Sequence, residues 1–275
     1  MPTSTPPRLP LNTGASIPAL GFGVFDIEDG DPTASIVQEA IASGYRSIDT
    51  AAAYLNEGGV GMGIRRSGVP REELFITTKL WNSHHLTAPD ELRNSLDRLG
   101  LDYVDLYLIH WPCSSAGTYL RAWEGLEAVH SAGLARAIGV SNFSAEQIDD
   151  IIALGGTVPA VNQIELHPLN SQPELRALHA DRGIVTQAWS PLGRGLAFGL
   201  PAISEISAAH KVSEAQVVLR WHIQLGTNPL PKSATPERIR ENIGVFGFEL
   251  SPSEMSRITA LSSGTRVEES YYEWA

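Results

Sequence analysis

Four residues of different type, Asp49, Tyr54, Lys79 and His110, stand at or just beyond the ends of the short apolar runs "YRSID", "LFITTK" and "VDLYLIH". Together they can move one proton. A tyrosine hydroxyl ordinarily titrates at about 10, so it acts as an acid near neutrality only where a neighbour stabilises its phenolate. An ammonium within ~4 to 6 Å does this, and a carboxylate keeps that lysine charged when it is buried. A neutral histidine can donate a hydrogen bond to a carbonyl oxygen without adding charge, aiming the oxygen at the hydroxyl. The set suits protonation of a carbonyl oxygen. Such a carbonyl needs a nucleophile at carbon, which none of the four supplies, and hydride from a reduced nicotinamide is the natural complement. A rival chemistry makes Lys79 a Schiff-base lysine.

The stretch "SIDTAAAYLNEGGVGMG", residues 47–63, is a second candidate, because Gly58, Gly59, Gly61 and Gly63 follow an apolar run as in a nucleotide-phosphate loop. No G-x-G-x-x-G can be read through them. They fall at the start of a helical pattern, where each glycine costs about 0.5 to 1 kcal/mol relative to alanine. Replacing Gly59 or Gly63 by alanine is therefore expected to stabilise the fold and leave nucleotide binding unchanged.

Positioning these groups requires a scaffold, and the periodicity supplies one. After "RLPLNTGASIPALGFG", whose "NTGAS" reads as a hairpin turn, apolar runs alternate with helical-period segments. Strands are expected at 20–23, 45–49, 74–79, 104–110, 135–140, 160–165, 184–189 and 229–232, and helices at 33–43, 57–68, 88–99, 119–132, 145–154, 173–182, 214–225 and 235–243. Thr87 and Ser144 read as N-caps, and Gly100, Gly133 and Gly183 as helix stops. Eight alternations without a Pro/Ser-rich linker favour one closed (β/α)8 TIM barrel over residues 1–275, with a short N-terminal β-hairpin, rather than an open doubly wound sheet. In such a barrel the active site lies at the carboxyl ends of the strands, where the four groups stand.

Composition narrows the partners. The chain has 31 acidic and 20 basic residues, a net charge of -11, and no run of like charges, so nucleic acid and anionic membrane are poor partners. The longest apolar runs are strand-length and "MPTSTPPRLP" lacks a signal-peptide core, which leads to the expectation of a cytoplasmic protein acting as a monomer on a small molecule. A lone cysteine, Cys113, excludes an internal disulfide and is read as an ordinary thiol. His84 and His85 with His110 and His167 could suggest a metal, but adjacent side chains diverge and no carboxylate pairs with them at ligand spacing, so none is expected.

The segments "IDTAAAYLNE", "ITTKLW", "LYLIHWP", "AIGVSNF", "VNQIELHP", "WSPLGRG" and "LPKSATPERIRENI" resemble, in order and across nearly the whole chain, the aldo-keto reductase family. The resemblance implies a (β/α)8 barrel, NADPH bound across the barrel mouth, and Asp49, Tyr54, Lys79 and His110 as catalytic tetrad, with Tyr54 the general acid in reducing aldehydes and ketones. It places Ser141, Asn142 and Gln163 at the nicotinamide carboxamide, with Trp189 stacked on the ring. Ser190, Leu192 and Arg194 cover the pyrophosphate, Ala215 and Leu230 lie near the adenine end, and Glu241 and Asn242 contact the adenine. Gly23, Val24 and Phe25, with Asp49, also fall among its cofactor positions. In "PKSATPER", Lys232, Ser233, Thr235 and Arg238 before a helix N-terminus suit a 2′-phosphate on chemical grounds too, which favours NADPH over NADH. Phe25, Trp81 and Trp111, with Tyr54 and His110, are implied to line the substrate pocket. The short "WPCSSAGTY" connection is most similar to the prokaryotic 2,5-diketo-D-gluconate reductase-type branch, which points to dicarbonyls or keto sugars. The tail "RVEESYYEWA" departs from that branch, and its Tyr271, Tyr272 and Trp274 are read as either touching substrate or packing on the barrel.

Overall fold

The computed structural model describes residues 6–267. A hairpin of β1 (Arg8–Pro10) and β2 (Ser16–Pro18) precedes eight parallel strands: β3 (Phe22–Gly23), β4 (Ser47–Asp49), β5 (Phe75–Leu80), β6 (Val104–Ile109), β7 (Ala135–Ser141), β8 (Val161–Glu165), β9 (Val185–Trp189) and β10 (Asn228–Pro229). Consecutive strands pair from β3 to β10. The ring closes through Gly21 N to the Pro229 carbonyl at 3.0 Å and Gly23 N to the Pro231 carbonyl at 3.1 Å, while Leu230 N turns the other way to Ala188 O at 3.0 Å. Prolines are tolerated in this strand because only their carbonyls are needed there. The fold is the expected α/β barrel, although β3, β4 and β10 are two or three residues long, shorter than their apolar runs suggested.

Strand parity sorts the two faces. Ile76, Leu80, Tyr107, Ile109, Ile138 and Val140 pack outward against the helices, whereas Phe75, Leu106, Leu108, Ala137 and Val161 fill the barrel interior, stoppered from below by Ile17 and Leu11 of the hairpin. The period of two then carries inward from Phe75 to Thr77 to Lys79, and from Leu106 to Leu108 to His110. Turn residues 11–15 close the hairpin as expected, with Gly14 left-handed at φ 82°.

Helices α1 (Asp31–Ala42), α2 (Glu57–Ser67), α3 (Ala88–Leu99), α4 (Tyr119–Ser131), α5 (Ala145–Ala153), α6 (Pro173–Asp181), α7 (Pro201–His210), α8 (Glu214–Gln224), α9 (Pro236–Ile243) and α10 (Pro252–Thr259) surround the strands. Ser144 caps α5 in a reciprocal box with Gln147. Thr87 does not cap α3: its hydroxyl donates to the His84 carbonyl instead, because a 3-10 turn runs straight into the helix. Gly100, Gly133 and Gly183 all take left-handed φ just past helix ends. Helices α7 and α10 stand outside the expected set, although Ser251 and Glu254 form a legible capping box at the start of α10.

The expected gain from alanine at Gly59 and Gly63 is overturned. Helices α1 and α2 cross so closely that a β-carbon on Gly59 would lie 2.7 Å from Thr33 Cβ and 2.8 Å from Gly30 O, and one on Gly63 would lie 2.7 Å from both Ala34 O and Val37 Cβ. These glycines are contact surfaces for a neighbouring helix, and periodicity alone gives no sign of that approach. The phosphate-loop resemblance has a local explanation: the Asp29 carboxylate accepts from Gly59 N at 2.7 Å, so a protein anion already serves the helix N-terminus. Gly59→Ala and Gly63→Ala are expected to lower stability by about 1 to 3 kcal/mol, the usual range for overpacking. Denaturant unfolding of the purified variants checks this; midpoints at or above wild type would contradict the packing account.

Candidate active site

At the carboxyl ends of the strands the four chemical groups converge. Lys79 is fully buried at the end of β5, and its Nζ donates to Asp49 Oδ1 at 2.6 Å, to the Thr50 carbonyl at 2.9 Å and to Tyr54 OH at 3.2 Å. All three ammonium protons are thereby used. Burial acts to lower the Lys79 pKa, but Asp49 and Tyr54 outweigh it and hold the ammonium above the usual lysine range. Asp49 is pushed up by burial and pulled down by Lys79 and Gln163, and its second oxygen accepts from Gln163 Nε2 at 2.8 Å.

Tyr54 ends a 3-10 turn, Ala52–Tyr54, followed by Leu55 in left-handed backbone at φ 56°. Asn56, fully buried, fixes this excursion by donating to the Val24 and Ile27 carbonyls at 2.9 and 3.1 Å and accepting from the Thr50 hydroxyl at 2.9 Å. Glu57 secures the next turn through Thr78 at 2.6 Å and Arg98 at 2.7 Å. Asn56 and Glu57 were visible only as letters of a motif; their polar side chains at the foot of a helix were the available signal.

His110 follows β6, with ring centroids 5.6 Å from Tyr54 and 5.3 Å from Trp81. Burial, and then the Lys79 charge, hold its pKa well below the ordinary histidine value, so the ring is neutral at physiological pH. Its Nδ1 is buried without a hydrogen-bond partner. A buried orphan N–H is rarer and costlier than a buried lone pair, which assigns the proton to Nε2.

One pocket of about 1920 Å³ runs across this end of the barrel. Asp49, Tyr54 and His110 line it together with Gly23, Phe25, Trp81, Trp111, Ser141, Asn142, Gln163, Trp189, Ser190, Leu192, Arg194, Ala215, Leu230, Lys232, Ser233, Thr235, Arg238, Glu241 and Asn242. Val24 is the exception among the anticipated cofactor residues. Its side chain is in the core, its N–H bonds to Asp49 O at 3.2 Å and its carbonyl accepts from Asn56, so it has nothing to offer a ligand. Tyr271, Tyr272 and Trp274 lie outside the described residues.

The walls near Gln163 are held by mutual bonds. Ser141 Oγ donates to the Gln163 carbonyl at 2.9 Å, Asn142 Nδ2 donates to the His110 carbonyl at 3.0 Å, and Trp189 Nε1 donates to Asn142 Oδ1 at 2.7 Å. Asn142, Ser190 and Arg194 all carry left-handed backbone, at φ 66°, 45° and 50°. Strain of this kind costs ~1 to 3 kcal/mol per residue and concentrates at functional sites. At the far end Ser233 Oγ accepts from Thr235 N at 3.0 Å, and α9 starts directly behind with Pro236. Lys232, Arg238 and the N-terminal amides of α9 make this end suited to a phosphate. A pocket larger than the ~300 to 1,000 Å³ of most ligand sites, cationic at one end and bearing a proton donor at the other, fits a long dinucleotide plus a small second ligand.

His84 and His85 do diverge: His84 approaches Glu91 at 3.5 Å, whereas His85 Nδ1 meets the Thr118 hydroxyl at 2.8 Å. Burial raises the Cys113 thiol. No described helix is long and apolar enough to cross a membrane.

Buried neutral histidines give the protein a pH dependence. Burial, helped by Arg182, lowers His179 to about 4, and burial lowers His222 to about 3 against a bond to the Pro191 carbonyl. Their folded pKa values lie below the unfolded value, so the unfolded chain binds protons that the native state refuses. The stability they contribute is complete above pH ~6.5 and is lost as pH falls from there through about 4 and 3. By pH 5 each costs ~2 kcal/mol. Urea unfolding at pH 8 and pH 5 checks this; equal stabilities would contradict it.

Comparison with known proteins agrees with this geometry. Residues 19–263 match the aldo/keto reductase family. An aldo-keto reductase of Mycolicibacterium vanbaalenii is 51% identical over 262 residues, covering 94% of both chains. A morphine 6-dehydrogenase of Pseudomonas putida is 48% identical over 279 residues, covering 95% of this chain and 93% of its own. The crystal structure of a Bombyx mori aldo-keto reductase in complex with NADP superposes with a TM-score of 0.91 at 37% identity, covering 98% of this chain and 97% of that one.

Proposed function

The chain belongs to the aldo/keto reductase family of nicotinamide-dependent oxidoreductases, and from that premise we propose that it reduces aldehydes and ketones with NADPH, Tyr54 delivering the proton to oxygen. The observation that carries the proposal is buried Lys79 Nζ lying between Asp49 at 2.6 Å and the Tyr54 hydroxyl at 3.2 Å, with Asp49 and Tyr54 lining the pocket. When bound, a reduced nicotinamide supplies hydride to the carbonyl carbon. The neutral His110 donates from Nε2 to the carbonyl oxygen and orients it. Tyr54 releases its proton to that oxygen, and the Lys79 ammonium stabilises the phenolate left behind. Asp49 keeps Lys79 charged throughout. A lysine held protonated has no lone pair to attack a carbonyl, which disfavours the Schiff-base alternative.

Lys232, Ser233, Thr235 and Arg238 support a 2′-phosphate and hence NADPH. Gln163, Ser141, Asn142 and Trp189 support the nicotinamide end, with Ser190, Leu192, Arg194, Ala215, Leu230, Glu241 and Asn242 between and beyond.

Charge and shape support a substrate class. Beside Tyr54 the pocket wall carries Phe25, 48% exposed, and Leu55, 81% exposed, and Trp81 and Trp111 also line it. Arg98 at this end is already paired with Glu57 at 2.7 Å, whereas Asp26 and Asp29 add negative charge. A substrate carboxylate would lose water without gaining a counter-charge. Neutral carbonyl compounds with an apolar body are therefore the preferred class. Neutral dicarbonyls and keto sugars, suggested by the diketogluconate-type connection, form the second class.

Tyr54→Phe is expected to reduce kcat by at least ~10²-fold, the lower range for loss of a general acid, while NADPH still quenches protein fluorescence. Retained turnover would overturn the assignment of Tyr54. In a substrate panel, kcat/KM for neutral aryl ketones is expected to exceed that for matched carboxylates at least tenfold; equal values would contradict the charge argument.

A further inference from the structure

Beneath the catalytic tetrad, three side-chain amides form a directional chain through the barrel interior. Asn228 Nδ2 donates to the Pro18 carbonyl at 2.8 Å, Gln187 Nε2 to Asn228 Oδ1 at 2.6 Å, and Gln163 Nε2 to Gln187 Oε1 at 2.6 Å. The second Gln163 N–H goes to Asp49 Oδ2 at 2.8 Å. Asn228 and Gln187 are fully buried, and Gln163 is 2% exposed.

The ends of this chain leave no freedom in its direction. A peptide carbonyl and a carboxylate can only accept, so the amide beside each must present its NH₂ group. Pro18 therefore orients Asn228, Asn228 orients Gln187, and Gln187 presents Oε1 to Gln163. Gln163 is the one member that spends both N–H groups inward, one on Gln187 and one on Asp49. Its carbonyl oxygen Oε1 is the group left for the pocket that it lines.

From this geometry we propose that Gln187 and Asn228 are positioning residues that fix the polarity of the Gln163 amide, so that Gln163 reads the cofactor's carboxamide strictly as a hydrogen-bond donor. The inference rests on the nicotinamide reading of the pocket. It ties recognition of the cofactor to a carbonyl of the N-terminal hairpin four links away. Inverting Gln163 would point Oε1 at Asp49 and at Gln187 Oε1 together, two repulsive contacts between acceptors. Replacing Gln187 by methionine, close in volume and unable to hydrogen-bond, removes one of the two. Inversion then becomes accessible, and Gln163 can donate to a ligand that offers only an acceptor.

The test compares two nucleotides by equilibrium fluorescence quenching: NADP⁺, and its 3-acetylpyridine analogue, which replaces the carboxamide NH₂ by a methyl group and keeps the carbonyl. Wild type is expected to bind NADP⁺ at least tenfold more tightly than the analogue. In Gln187→Met this ratio is expected to fall below threefold. Binding of 2′,5′-ADP, which has no nicotinamide, should be unchanged, showing that the folded groove is intact. A merely structural role for Gln187 would weaken all three ligands together or none. If Gln187→Met does not fold, Asn228→Leu, one link further along the chain, takes its place with the same expectation. A ratio unchanged in a variant that folds, or a wild-type ratio near one, overturns the inference. Failure of wild type to bind NADP⁺ or 2′,5′-ADP at all overturns the nicotinamide reading itself, a distinguishable result.

Discussion

The proposed chemistry depends on a buried ion pair, Lys79 with Asp49, that lies against a third group, Tyr54, able to change its charge. Desolvating an ammonium and a carboxylate costs several kcal/mol each, and their attraction offsets this only if the remaining protons and lone pairs are satisfied. Here they are. The Lys79 ammonium has three acceptors in Asp49, the Thr50 carbonyl and Tyr54, while Asp49 divides its oxygens between Lys79 and Gln163. The Tyr54 hydroxyl is thus the most exposed member of a network whose other bonds are already made, and a phenolate there would accept directly from the Lys79 ammonium. Because nothing needs to reorganise when the proton leaves, the field at the hydroxyl is preorganised.

That interaction makes demands on the rest of the barrel. Lys79 must point inward, which the parity of β5 secures once Ile76 and Leu80 face the helices and Phe75 the interior. Water must be kept from the pair, and the hairpin residues Leu11 and Ile17 close the barrel floor below it. Tyr54 must leave the strand and turn back over the pocket, a path that the buried Asn56 holds with three hydrogen bonds. The glycine-rich start of α2 then lets this helix lie against α1 directly behind the Tyr54 loop. Packing and chemistry meet in the one segment, residues 47–63.

Much of this was legible in the residues. Alternating apolar runs gave the eight-strand barrel, and polar groups at or just beyond successive strand ends gave the four side chains that converge, since those signals are local and periodic. The end proposed for a phosphate was legible as chemistry because cations, hydroxyl groups and a helix start lie together in "PKSATPER". What periodicity does not encode is distance between elements remote in sequence. Gly59 and Gly63 read as poor helix residues, and only their contacts with Thr33, Ala34 and Val37 show them to be required. Val24 stood among the cofactor positions, yet its backbone bonds and burial take it out of the pocket. Gln187 looked like one more strand residue; its function as an oriented donor depends on Asn228 and Pro18, 41 and 169 positions away.

The central claim is that Asp49 keeps Lys79 charged against its burial, and it can be read from the lysine itself. The ¹⁵Nζ resonance of Lys79, followed from pH 6 to pH 10 in wild type and in Asp49→Asn, reports its protonation directly. The wild-type signal should remain that of an ammonium across the range, because Asp49 and Tyr54 together outweigh desolvation. In Asp49→Asn, with the carboxylate gone, the titration should move down into that range. A neutral amine at pH 7 in wild type, or a titration indifferent to Asp49, would contradict the account.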